Sequence, residues 1–262
     1  MKTYIKTFSF SILQQVKHIG DSLISRVSLV LFILIFVSLW SSTYYLTQSG
    51  EIGGFTLKQL IWYFSITEAL LLARSRIWGE ISRDVKSGDI AYNLSRPYSY
   101  PVLLLFKALG NNIFFLFINL IISGILAFAF TKTIPGNPFS WISFLLLAIL
   151  GQIVDVLINI IIGLLAFFFE EVEPFYWIYD KLIFTLGGLF IPLDFFPDWI
   201  QRIAKILPTQ AILYLPARTF VTADAQIAEN AFFLQVIVVV LCLFVGLIIW
   251  PISLRRLEIN GG

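Results

Sequence analysis

Three polar residues at helical spacing interrupt a long apolar run in the middle of the sequence. Gln152, Asp155 and Asn159 lie three and four residues apart, so an α-helix would place them on one face. A carboxyl group among so many apolar neighbours is costly unless it is paired or functional. The face therefore predicts either hydrogen bonds between packed helices or a polar wall along which a ligand passes, and packing is the simpler interpretation. By the same reasoning, Glu68 is expected to form a local ion pair with Arg74 or with the arginine two residues further on.

A second stretch, RSRIWGEISRDVKSGDIAYNLSRP at 74–97, concentrates charge, with five Arg/Lys and three Asp/Glu. Glu80–Lys86 predicts a short polar helix that ends at Gly88, and Asp89 is placed to cap a second short turn before Pro97. The segment fits either a solvated loop or a docking element for a soluble partner. The residues that such an element would use are Glu80, Arg83, Asp84, Lys86, Gly88, Asp89 and Arg96.

The residue types that enzymes and metal sites most often use are scarce. His18 is the single histidine and Cys242 the single cysteine. The sequence contains no G-x-x-x-x-G-K-[ST] phosphate loop, no H-E-x-x-H and no G-x-S-x-G. We therefore expect no catalytic residue, no metal site and no cofactor in this chain, and no ATP hydrolysis by the chain alone. A net charge of +2 gives no indication of nucleic acid binding.

The composition indicates that lipid surrounds much of the chain. Of the 262 residues, 58% are hydrophobic and 13% charged, whereas a soluble domain has about 45–50% and about 25%. The predicted fold class is an all-α integral membrane protein, and residues 1–262 form a single membrane domain without an evident internal repeat. The six predicted spans are Val27–Leu46, Leu57–Leu72, Val102–Phe130, Trp141–Phe169, Tyr176–Phe196 and Phe232–Ile252.

The distribution of positive charge predicts the orientation of these spans. With the N-terminus in the cytoplasm, cytoplasmic segments hold thirteen of the Lys and Arg residues and external segments hold five. Six spans then leave both termini in the cytoplasm. The acidic stretch EEVEP at 170–174 also falls on the cytoplasmic side, but acidic residues contribute little to this rule.

Two further segments are predicted to lie at membrane surfaces. Residues 1–25 read as an amphipathic helix along the inner surface, which serves as an anchor or as a lever beside the charged loop at 74–100. Its apolar positions are Ile5, Phe8, Ile12, Val16, Ile19 and Leu23. Prolines break the fifth apolar run, and lipid-facing backbone does not tolerate such breaks, so residues 192–220 are predicted to form a re-entrant or interfacial segment near the outer surface rather than an ordinary external loop. Its marker residues are Pro192, Pro197, Trp199 and Pro208.

These features together resemble the permease subunits of type V ATP-binding-cassette exporters, in the short six-span form of the ABC2-type permease family. The resemblance covers essentially the whole chain. It includes the amphipathic start, the polar first cytoplasmic loop, and the broken fifth span with G-G-x-x-x-P-x-x-x-x-P-x-W followed by L-P. A G-D/E-I-x-x-x-L-x-[RK]-P element follows span two and corresponds to Gly88, Asp89, Ile90, Leu94, Arg96 and Pro97.

The resemblance implies a function in ATP-driven export from the cytoplasm or inner leaflet of a bacterial inner membrane. It implies cytoplasmic ATPase subunits that bind ATP and Mg, a second permease that is either a copy or a sibling, and a coupling loop within residues 74–100. The narrow polar stripe and the lack of a long external domain favour an amphiphilic small molecule, drug or lipid-like, as substrate. The alternatives are a stand-alone secondary transporter with Asp155 as its ion-coupling residue, a membrane enzyme acting on lipids, and a scaffold without transport.

Overall fold

The computed structural model describes residues 2–17 and 23–261, and these fold into eleven α-helices joined by short connections. Short 3₁₀ turns follow α7 and flank α9. The helices are α1 (Lys2–Lys17), α2 (Leu23–Thr47), α3 (Leu57–Leu71), α4 (Ile77–Ser87), α5 (Asp89–Leu94), α6 (Tyr100–Thr131), α7 (Pro138–Leu164), α8 (Glu173–Leu186), α9 (Asp198–Ile206), α10 (Tyr214–Thr222) and α11 (Ala225–Gly261).

Four segments of the described chain are long and apolar enough to cross a membrane. They belong to α2, α6, α7 and α11, and match the first, third, fourth and sixth predicted spans in position. α11 exposes apolar side chains on most of its surface, as a helix surrounded by lipid does. The four segments are Arg26–Thr47, Tyr100–Thr131, Pro138–Phe167 and Ala225–Arg256.

The second and fifth predicted spans correspond to shorter helices. α3 has 15 residues and α8 has 14, which gives each a length of about 21–22 Å at 1.5 Å per residue. The hydrocarbon core of a bilayer is about 30 Å thick, so neither helix crosses it alone. The fifth predicted span, Tyr176–Phe196, was expected to be broken at its prolines, and its helix ends earlier than they do, at Leu186.

The end of α8 follows from backbone geometry that hydropathy does not reveal. Gly188 has φ +83°, a left-handed conformation that favours glycine. Its carbonyl accepts a hydrogen bond from the Tyr63 hydroxyl of α3, and a Cβ at Gly188 would lie 2.5 Å from that hydroxyl oxygen. The chain therefore leaves the helix although apolar residues continue to Ile191.

Both terminal helices lie beside the start of α6. The Tyr4 hydroxyl of α1 accepts a hydrogen bond from the Ser99 backbone nitrogen at 2.9 Å, and the Trp250 ring of α11 stacks on Tyr100 at a centroid distance of 6.3 Å. Because α4 and α5 precede α6 directly, this end of the bundle also carries α4 and α5. We call it the α4 end.

The helix α1 packs on α6 with only part of the predicted apolar face. Ser11 is buried against α6, and Gln15 Nε2 donates to Asn111 Oδ1 at 3.2 Å. Phe8 and Ile12 of the predicted apolar face are half-buried, whereas Ile5 and Val16 are exposed. The small side chain of Ser11 allows the two helix backbones to approach closely. The predicted helix position Ile19 and the side chain of Leu23 lie outside the described part of the chain.

Candidate functional site

The helix α4 of the charged stretch is fastened to the last turns of α7 by its apolar face. Ile77 and Ile81 are buried. A Cβ at Gly163 of α7 would lie 2.7 Å from Ile81 Cδ1, so the absence of a side chain there allows the close contact. The fourth predicted span thus provides the seat on which α4 lies.

Two acidic residues of the predicted docking element bind the chain itself. Glu80 Oε1 accepts from Lys107 Nζ of α6 at 2.6 Å. Asp84 Oδ2 accepts from the Tyr100 hydroxyl at 2.7 Å and from Asn93 Nδ2 of α5 at 3.1 Å. These side chains fix α4 to α6 and to α5, so they position α4 within the chain.

The remaining charged residues of the element point away from the bundle. Arg83, Lys86, Asp89 and Arg96 are all exposed. Lys86 Nζ lies 2.9 Å from Glu171 Oε1, an exposed contact that contributes little stability. A hydrogen bond to the Tyr92 hydroxyl raises the pKa of Arg96, which therefore stays positive. The outer surface of α4 and α5 carries charge of both signs.

Gly88 joins α4 to α5 as the sequence predicts for a helix end. It closes α4 with φ +81°, the left-handed conformation that glycine adopts without strain. Asp89 is the first residue of α5 and not its cap, which corrects the sequence prediction, because Gly88 itself occupies the capping position. The Asp89 carboxylate instead accepts from the Ser87 hydroxyl at 2.7 Å.

A buried charge cluster lies where the connection from α3 to α4 meets α7 and α8. Arg74 Nε donates to Asp155 Oδ1 at 2.7 Å, and Arg74 Nη1 lies 3.3 Å from Asp180 Oδ1 of α8. The Tyr179 hydroxyl also donates to Asp155 Oδ1, at 2.7 Å. Burial alone would lower the pKa of Arg74, but the Asp155 carboxylate raises it above its usual value, so the guanidinium keeps its charge.

The expected local ion pair of Glu68 with Arg74 is wrong. Arg74 turns toward α7 and α8, where two carboxylates meet one guanidinium. Glu68 is buried on α3, and its Oε2 has no hydrogen-bond partner within the described residues. Glu68 is close to Arg74 in the sequence, but the carboxylates that contact Arg74 in the structure, Asp155 and Asp180, are 81 and 106 positions away from it along the chain.

The polar stripe of α7 faces other helices of the same chain. Gln152 Nε2 donates to the Leu70 carbonyl at 3.2 Å and its Oε1 accepts from Asn112 Nδ2 of α6 at 3.0 Å. Asn159 Nδ2 donates to the backbone oxygen of Asp155 at 3.0 Å. All three stripe residues are fully buried. This geometry favours packing of α7 against α3 and α6 over a wall along a ligand path.

The segment that follows α8 folds back into the bundle. Pro192 lies buried after the end of α8, Pro197 precedes α9 and is exposed, and Pro208 opens a 3₁₀ turn. Residues 209–217 are all buried, and we call them the buried return. Gln235 of α11 donates through Nε2 to the carbonyl oxygen of Ala211 at 2.6 Å, so the backbone at the tip is satisfied by a side chain, as non-helical backbone inside a membrane protein requires.

The helix α9 forms the outer part of this segment and presents apolar side chains outward. Trp199 and Ile203 are exposed, whereas Ala204 is buried. Below it, Asp194 accepts from the Tyr214 hydroxyl at 2.9 Å and lies 2.8 Å from Arg218 Nη2. The helix α9 thus carries apolar side chains on its exposed side, and its placement at a membrane surface stays a prediction.

Sequence reasoning missed two polar contacts that shape these sites. Neither Asp180 nor Gln235 was singled out, although Gln235 lies within the last predicted span. A lone amide inside a spanning run is a signal that could have pointed to it, because such a group needs a hydrogen-bond partner in lipid.

The model of a family described as ABC-2 family transporter protein matches residues 27–261. No curated protein matches the chain significantly.

Proposed function

The chain belongs to the ABC-2 family of transporter proteins, and from that premise we propose that it is the permease subunit of an ATP-driven exporter. Such a subunit is the membrane component and not itself the catalyst. The ATP and Mg would be bound by separate cytoplasmic ATPase subunits. A second permease, either a copy of this chain or a sibling, would complete the assembly in a bacterial inner membrane.

The proposal depends on one observation: α4 and α5 are bonded to the bundle on one side and expose charged residues on the other. Glu80 and Asp84 tie the unit to α6, while Arg83, Lys86 and Asp89 face outward. An element that is held rigidly on one side and charged on the other suits transmission of force from a soluble partner. Electrostatic complementarity would give specificity and orientation to that contact.

The orientation of the proposed permease places the α4 end in the cytoplasm. Both terminal helices lie at that end, in agreement with an even number of passes, and most Lys and Arg residues fall on the same side. The short helices α3 and α8 would complete the six passes together with the connections that continue them.

The proposed substrate is an amphiphilic small molecule. Two recesses that open sideways between helices are apolar: one of about 240 Å³ lies between α3, α6, α7 and α10, and one of about 130 Å³ lies between α6, α7 and α11. Trp62 and Phe144 line the first, and Trp250 lines the second. Such surfaces suit drug-like or lipid-like molecules better than a polysaccharide, which needs many polar partners.

The charge cluster counts against an ion-coupled carrier built on Asp155. A coupling carboxylate must exchange its ion or proton in every cycle. Asp155 is instead held at 2.7 Å by Arg74, and the side chains are 0% and 5% exposed. Protonation of Asp155 would leave a buried guanidinium with only the longer contact to Asp180, which is strongly unfavourable.

Co-purification with charge-reversal variants tests the proposal. The tagged chain is purified in mild detergent from its native host and the eluate is examined by mass spectrometry. We expect a stoichiometric ABC ATPase with the wild-type chain and its loss with Arg83→Glu/Lys86→Glu. Arg202→Glu/Lys205→Glu on α9 removes the same number of exposed positive charges and should retain the ATPase. A wild-type eluate without any ATPase contradicts the proposal.

A further inference from the structure

The connection from α3 into α4 is bound to α8 by three neighbouring side chains. Arg74 reaches Asp180, the Arg76 guanidinium lies 5.7 Å from the centroid of the Tyr176 ring, and the Trp78 ring stacks on Tyr176 at 5.0 Å. α8 ends at Leu186, shortly before the left-handed Gly188, and leads into the buried return. Movement of α4 therefore has a direct route to α8.

The centre of this connection has unused hydrogen-bonding capacity. Arg74 Nη2 and Asp155 Oδ2 are both buried and have no hydrogen-bond partner within the described residues. Most buried polar atoms in proteins are paired, so such a donor and acceptor in one ion pair need an explanation. The pair is joined by a single hydrogen bond, although a guanidinium and a carboxylate can form two parallel ones.

These two atoms define a second arrangement of the same pair. The Nε and Nη2 hydrogens of arginine lie on one edge of the guanidinium, so a small rotation would add an Nη2–Oδ2 bond to the existing Nε–Oδ1 bond. The contact between Arg74 Nη1 and Asp180 Oδ1, at 3.3 Å, is longer than a normal charge-assisted bond and would be the first to break. One arrangement ties Arg74 to Asp180 of α8, and the other breaks that tie.

We infer that Arg74 is a two-position switch that passes the movement of α4 to α8. In one position it contacts both Asp155 and Asp180, and in the other it gives up Asp180 and forms a bidentate pair with Asp155. Arg74 is a positioning residue, because it acts through the helices and has no assigned contact with substrate. The inference rests on the proposed function. A buried element with two discrete arrangements is the kind of device that couples distant sites.

The variant Arg74→Lys separates this switch from a merely structural charge. Lysine keeps the positive charge, but its single ammonium group cannot form the two parallel hydrogen bonds that a guanidinium makes with a carboxylate. We expect the complex of Arg74→Lys with its ATPase to assemble and hydrolyse ATP, while transport falls by at least about tenfold, within the range of coupling between sites. Arg202→Lys on the exposed surface of α9 is the matched control and should transport normally. Normal transport by Arg74→Lys would overturn the inference.

Asp180→Asn provides a second variant that leaves the Asp155 pair in place. Asp180 is 19% exposed, so its amide should be tolerated and the unfolding temperature should not change. We expect the same loss of transport with retained ATP hydrolysis. Asp198→Asn at the start of α9 is the acid-to-amide control.

Spin-label distances distinguish failure of the switch from failure of the proposed function. In a Cys242→Ser background, labels at Ala91 on α5 and at Ile178 on α8 are each measured against Ile125 on α6; all three label sites are exposed. We expect ATP trapping to change both distances in the complex with wild-type Arg74 and only the Ala91 distance in Arg74→Lys. An unchanged Ala91 distance in the wild type would overturn the proposed function and the inference with it. Equal movement of Ile178 in both would overturn the inference alone.

Discussion

Ile81 of α4 lies directly over Gly163 of α7, at a position where a glycine Cβ would come within 2.7 Å of its Cδ1. The contact joins the charged helix α4 to the end of α7, the most buried of the four candidate spans. Because Gly163 has no side chain, the α4 backbone also approaches closely, and a Cβ would lie 3.1 Å from the Trp78 Cα. The seat of α4 is therefore defined by shape as well as by the Glu80 and Asp84 contacts.

Gly163→Ala should lift α4 from this seat. The added methyl group meets the branched Cβ of Ile81 as well as the backbone at Trp78, so overpacking should destabilise the protein by about 1–3 kcal/mol. Thermal unfolding in detergent measures the stability, and co-purification measures retention of the ATPase, which should fall. Gly246→Ala on α11, where nothing lies within 4 Å of the added atom, should leave both unchanged. Equal behaviour of the two variants would contradict the proposed seat.

Asp155→Asn should destabilise the protein through the charge it leaves behind. Breaking a buried pair exposes the remaining charge to an apolar environment, and the expected loss is about 3 kcal/mol, the lower end of the range, because Asp180 still contacts Arg74. The midpoint of thermal unfolding checks this. An increase in stability would indicate that the pair does not hold the helices together.

Glu68→Gln should behave in the opposite way. The Glu68 carboxyl is buried on α3 and its Oε2 has no partner within the described residues, so the neutral amide removes the ionised form that burial disfavours. We expect unchanged or increased thermal stability. A clear loss of stability would mean that the carboxyl has an essential partner in the assembled transporter.

Gln235→Leu should loosen the buried return. Gln235 Nε2 donates to the carbonyl oxygens of Ala211 at 2.6 Å and Leu147 at 2.9 Å. Leucine has a similar volume and leaves both oxygens without this donor, which should cost about 1–2 kcal/mol. A cysteine introduced at Thr209 should then react faster with a thiol reagent. Gln226→Leu, an exposed position at the start of α11, should have no effect on that rate.

The sequence predicted those parts of the fold that depend on local pattern. Long apolar runs located α6 and α7 to within a few residues and the middle of α11, which is longer at both ends than its predicted span. Gly88 was placed correctly at the end of α4 because a left-handed helix end favours glycine. The extent of α8 was not predictable in this way. Hydropathy continues past Leu186, whereas the hydrogen bond between Tyr63 and Gly188 that accompanies the bend depends on a helix more than a hundred residues earlier.

The candidate site was predictable in composition but not in pairing. Spacing identified Gln152, Asp155 and Asn159 as one face, and the structure buries that face inside the chain. The partner of Asp155 lies 81 residues away in a connection without helical periodicity, so no pattern could assign it. The same limit explains why the hydrogen bond between Gln15 of α1 and Asn111 of α6 was not predicted.

ATP-dependent transport by the co-purified complex is the decisive assay for the proposed export function. The chain and its associated ATPase are reconstituted together into vesicles with a fluorescent amphiphile, with ATP and Mg on the side of the ATPase. We expect movement of the amphiphile that requires ATP hydrolysis and stops with Arg83→Glu/Lys86→Glu, while a proton gradient alone drives none. Movement driven by a proton gradient, without any ATPase present and abolished by Asp155→Asn, would contradict it.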